Sequence, residues 1–98
     1  MRYGEIELEG PFSMMDELRQ SSGVAVLLCW RERSDSYQLL QIAVASDVAT
    51  EVKRMLSEDW TLVCDAKLRV AVHYADANSL DALRTQVLWA SDTGQELS

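Results

Sequence analysis

The apolar run from Val24 to Trp30 constrains the fold of this chain more than any other stretch. It is too short for a typical helix and has no polar face, so it predicts a strand buried on both sides. The polar segment Arg31 to Ser36 must then turn, and a second apolar run follows from Tyr37 to Ala45. So short a connection makes an antiparallel hairpin the simplest pairing of the two, with a register that the sequence does not reveal.

The remaining elements arrange themselves around this hairpin. Residues 3 to 9 alternate acids (Glu5, Glu7, Glu9) with Ile6 and Leu8, which predicts a short extended segment on an edge of the domain, ended by Gly10-Pro11. Ser13 and Asp16 form a capping-box-like start for a short helix running to about Gln20, with Gly23 as its stop. Ser46 caps a helix from Asp47 whose Val48, Val52, Met55 and Leu56 share one face, while Thr50, Glu51, Lys53, Arg54 and Ser57 face water.

A short apolar patch, Trp60 to Val63, precedes a half-buried strand at Leu68 to Ala75. In it Leu68, Val70, Val72 and Tyr74 alternate with Arg69, Ala71, His73 and Ala75. Asn78 or Ser79 caps a last helix with an inward stripe of Leu80, Leu83 and Val87, reaching about Ala90. The order α-β-β-α-β-α predicts an α+β fold: a small, mostly antiparallel three-stranded sheet flanked by helices.

With 98 residues, nearly half of them apolar and a quarter charged, the chain reads as a single domain over 1–98. Its core is expected over about 10–91, with a disordered tail at 92–98. A net charge of −7 repels polyanions and disfavours nucleic acid as a partner. Cys29 and Cys64 belong to no ligand cluster and read as reduced core residues. With no signal-like amino terminus and no run of membrane-spanning length, the expectation is a cytoplasmic protein that avoids membranes.

Several of these strings resemble the GIY-YIG nuclease superfamily. Gly23-Val24-Ala25 leads the first strand of the hairpin, and Gln41-Ile42-Ala43-Val44-Ala45-Ser46-Asp47-Val48 looks like the family's second motif running into its helix. The similarity covers roughly residues 10 to 90 and implies a GIY-YIG-like fold. Under it the family's two tyrosines fall on Ala25 and Gln41 and its glycine on Ala43. The arginine falls on Glu51, the histidine on Met55, and the metal-binding glutamate near Thr85 or Gln86. None of the chemistry is retained, because neither Thr85 nor Gln86 offers the carboxylate that a hard cation prefers. An acid at position 51 would oppose charge building on a phosphate by on the order of a few kcal/mol at close range. The resemblance therefore implies a degenerate cleft at Ala25, Gln41, Glu51, Met55 and Gln86 with no metal and no cofactor.

Other candidate residues each carry a bland alternative. His73, the only histidine, has no ligand or base partner at a fixed spacing, and reads as a strand residue. A cysteine–histidine dyad lacks anything to bring its members together. Arg31-Glu32-Arg33 beside Trp30 could bind a base or a carboxylate, or simply be a solvated turn. Trp89 lies roughly opposite the inward stripe of the last helix, and with Leu88 it suggests a contact surface. The expectation is a non-enzymatic interaction or regulatory module that binds a protein partner or itself. The alternatives are an acidic mimic of nucleic acid that inhibits a nucleic-acid-binding protein, and a divergent metal-dependent nuclease.

Overall fold

A computed structural model describes residues 1–13, 18–64, 67–94 and 97. Among the described residues six strands and two α-helices follow one another: β1 (Arg2–Tyr3), β2 (Ile6–Glu7), β3 (Glu9–Phe12), β4 (Gly23–Arg31), β5 (Ser36–Ala45), α1 (Val48–Leu56), β6 (Leu68–Tyr74) and α2 (Leu80–Asp92). β1 and β2 make a two-stranded antiparallel hairpin, and the other four strands form an antiparallel sheet in the order β3-β6-β4-β5.

The apolar run of β4 is buried on both sides, as its composition demands. Val24, Val26 and Leu28 pack with Ala71 against α2 and the amino-terminal hairpin, while Ala25 and Leu27 pack with Val70 and Val72 against α1. The two helices thus cover opposite faces of one sheet. Removing a leucine such as Leu27 or Leu28 from water contributes about 2 kcal/mol, so this strand anchors both layers.

The hairpin of β4 and β5 forms, pairing Gly23 with Ala45 at one end and Arg31 with Ser36 at the other. Between them lies a bulge: Leu27 faces Gln41 but Leu28 faces Leu39, leaving Leu40 as the extra residue. The bulge shifts the side-chain phase, so that Tyr37, Leu39, Ile42 and Val44 all join the α2 layer while Leu40 and Ala43 join the α1 layer.

The expected three-stranded architecture is therefore corrected to four strands plus a separate hairpin, with an element order that is no longer α-β-β-α-β-α. Two local features and one tertiary one account for it. Residues 3 to 9 do not run as one extended segment: Gly4, with φ of 60°, turns the chain back on itself. Tyr3, Ile6 and Leu8 are then buried on the α2 face, with Glu5, Glu7 and Glu9 outward. Pro11 does not stop the chain but sits inside β3, which tolerates it because β3 is an edge strand with one side free of ladder bonds. β6, expected to be half-buried, is interior in the sheet with a layer on each face, so Val70, Ala71 and Val72 are all buried.

Ser13 and Leu18 to Gln20 are not helical, and the rest of the expected first helix lies outside the described residues. The cap of α1 is Asp47 rather than Ser46, its carboxylate accepting the Thr50 amide at 3.2 Å. The last helix is preceded by a 3₁₀ turn at Ala77–Ser79. Leu97, assigned to a loose tail, bridges to Tyr3 and packs on the α2 layer.

Cys29 and Cys64 are not reduced. They form a disulfide with Cα atoms 5.9 Å apart, tying β4 to the loop between α1 and β6. Cys29 continues the α1-facing alternation of β4, and α1 delivers Cys64 to the same face, a proximity that spacing in the sequence does not announce. One ground for a cytoplasmic location is thereby removed. No described helix is long and apolar enough to cross a membrane.

Candidate functional site

The five positions of the expected cleft do not converge. Ala25, Met55 and, through its pairing with Leu27, Gln41 point to the α1 side of the sheet, whereas Gln86 is exposed on α2 beyond the opposite face. Since α1 and α2 cover opposite faces, no rearrangement of side chains could unite them. Ala25 and Met55 are fully buried among Leu27, Val48 and Val52, so where a cleft was expected there is packed core. Glu51 is half-buried on α1, where its carboxylate pairs with Arg54, accepting the Arg54 Nε at 3.0 Å.

His73 is committed to structure. Its Nδ1 lies 2.9 Å from the backbone oxygen of Glu7, so in the tautomer that donates there it holds the amino-terminal segment to β6. The basic hairpin tip is also partly engaged. Arg31 donates to Gln38 and to the Val63 carbonyl, and Glu32 accepts the Lys67 ammonium at 2.7 Å. That hydrogen bond and charge hold the Glu32 carboxyl below its ordinary range. Trp30 stacks in a tilted pair with Tyr37 across the hairpin, centroids 4.8 Å apart. Among the described residues no three His, Cys, Asp or Glu side chains are grouped so as to hold a metal.

Trp89 and Leu88 are exposed at 57% and 65%. Helical spacing turns them about 100° apart, and they line different concavities. Trp89 flanks a depression of about 260 Å³ with Glu5, Thr85, Gln86 and Ala90, beside the amino-terminal hairpin. Leu88 lines a groove of about 320 Å³ with Ile42, Ala43, Val44, Arg84 and Val87, along β5. The hairpin wall is anchored to α2, with the Tyr3 hydroxyl and Ser91 Oγ 3.3 Å apart.

Sequence reasoning passed over two exposed apolar side chains, Leu62 at 99% and Val63 at 47%. They sit on the loop that the disulfide fastens, next to Trp60, which turns inward to donate its Nε1 to the Met55 carbonyl at 2.7 Å. The signal available was an apolar patch with neither helical nor strand periodicity. Such a patch cannot bury itself through regular structure.

Comparison with known proteins finds no family model, no curated protein and no solved structure that matches this chain. The likeness to GIY-YIG nucleases stands on the quoted residues alone.

Proposed function

We propose that this chain is a non-enzymatic interaction module that engages a protein partner through the outer surface of α2, with Trp89 as the anchor. The observation that carries this reading is Trp89 itself: a tryptophan 57% exposed on the outer surface of α2, beside a concavity with one acidic and several apolar or neutral walls. Exposed tryptophans bury large areas at low entropic cost and are enriched among the residues that dominate binding energy. Leu88, one residue earlier, enlarges the same helix's apolar exposure.

The acidic-mimic alternative has less support. Glu7, Glu9, Glu32, Glu51, Glu58 and Asp81 each have a basic partner, and they are scattered over different elements instead of forming a phosphate-like row. A nuclease has less still, given the separation of Gln86 from Glu51 across the sheet.

The test is affinity capture with the native chain and with Trp89→Ala at matched loading. A partner retained by the first should be lost, or weakened by tenfold or more, with the second, as truncating an interfacial tryptophan costs about 2 kcal/mol or more. Equal capture by both chains would overturn the assignment to Trp89.

A further inference from the structure

The four-stranded sheet has two edges, and they are treated differently. β3 is four residues long and carries Glu9 and Pro11, both devices that discourage pairing with another chain. β5 is ten residues long, Ser-Tyr-Gln-Leu-Leu-Gln-Ile-Ala-Val-Ala, with no charge and no proline, and among the described residues no strand pairs with its outer side. Its single protective feature is the bulge at Leu40, beyond which Gln41 to Ala45 runs in unbroken register with Gly23 to Leu27. That half presents regular, unpaired backbone donors and acceptors.

Three further observations fall on the same half. The groove of Ile42, Ala43, Val44, Arg84, Val87 and Leu88 runs beside it and leaves Leu88 exposed. Among the described residues Gln41 Oε1 is the one buried side-chain polar atom that accepts no hydrogen bond, a deficiency that folded proteins rarely leave in place. And the chain carries a net charge of −7, so two copies repel one another in general but can approach here, where the strand is neutral and, among the described residues, the one charged side chain lining the groove is Arg84, itself paired with Asp81.

We propose that two copies of this chain associate antiparallel through the Gln41–Ala45 half of β5, joining their sheets across a two-fold axis that passes between Gln41 and Ala43. The occupant of the edge is a second copy because the contact is self-complementary. An antiparallel pair of identical neutral strands sets no like charges opposite each other, and an isologous contact brings each groove, with its Leu88, to the same seam. The axis also places the two Gln41 side chains diagonal to one another, within reach for long side chains, so each amide, once turned outward from the enclosed position where its oxygen is unsatisfied, can bond the other across the seam. This inference goes beyond the Trp89 reading and stands without it, since Trp89 lines a different concavity.

Sedimentation equilibrium over a concentration series tests it. The native chain should pass from the 11.0 kDa monomer to twice that mass as concentration rises. Gln41→Lys, which opposes two ammonium groups at the axis, and Leu88→Lys, at an exposed site where folding is not at stake, should each weaken the dimer by tenfold or more. Trp89→Ala should leave it unchanged while abolishing partner capture, so the two proposals fail separately. Hydrogen exchange should show amides of residues 41–45 slowing with concentration. A native chain that stays monomeric up to near-millimolar concentration, a dimer indifferent to both lysines, or protection that rises in β3 instead of β5 would overturn the proposal.

Discussion

Gly23 shows how much a single position can decide. Its φ is 154°, and a β-carbon built on it would stand 1.9 Å from the His73 carbonyl oxygen on the adjacent strand. The contact is backbone against backbone, at the first residue of β4 where it pairs with both Ala45 and Tyr74, so neither side can swing away. Gly23→Ala is expected to lower stability by at least about 2 kcal/mol, the scale of a strained backbone combined with a forced strand separation. Urea unfolding would show it, and a midpoint within error of the native chain would refute it. The sequence flags this glycine only as a stop before a strand. That it is obligatory depends on β6, which arrives from 45 or more residues away and lies against it.

At the scale of elements, α1 and the loop after it divide cleanly into what pattern predicts and what it does not. The helix follows its periodicity: Val48, Val52 and Met55 are buried, Arg54 bridges Glu51 and Glu58 on the outer face, and only the cap shifts by one residue. The loop obeys no period and is ordered by specific bonds. The Asp59 carboxylate accepts the Thr61 hydroxyl at 2.7 Å and the Thr61 amide at 3.0 Å, and these bonds hold its carboxyl below the ordinary aspartate range. A carboxyl lowered on folding favours the folded turn above its unfolded pKa, and that preference is lost as pH falls through its folded value. The turn at 59–61, and with it the presentation of Leu62, should therefore loosen on the acid side of the usual aspartate range. A carbon-13 titration of the Asp59 carboxyl should show a value raised toward that range in Thr61→Val, which keeps only the amide bond. Identical titrations in the two chains would contradict the account.

For the whole molecule, the Cys29–Cys64 link joins residues 35 apart and constrains the unfolded chain, a loop for which chain entropy alone gives about 4 kcal/mol and engineered or native bonds commonly deliver about 2–4 kcal/mol. Reduction should thus lower the Tm of a domain this size by about 10 °C or more. A Cys29→Ala, Cys64→Ala double variant should melt low with or without reductant. Equal melting of the native chain in both conditions would show that the bond contributes nothing. Local pattern was enough to locate the two strands of the central hairpin and the helices α1 and α2, because a short unbroken apolar run bounded by polar turns, or apolar residues recurring near every 3.6, is a demand for burial that each segment states for itself. It also marked Trp89 as lying off the inward stripe. Long-range packing, and nothing local, sets α1 and α2 on opposite faces, inserts β6 between β3 and β4, parts Gln86 from Glu51, brings the two cysteines together and leaves β5 as an edge. Each of these is a relation between residues far apart in the chain, set by which layers close over which face, and no local pattern carries that information.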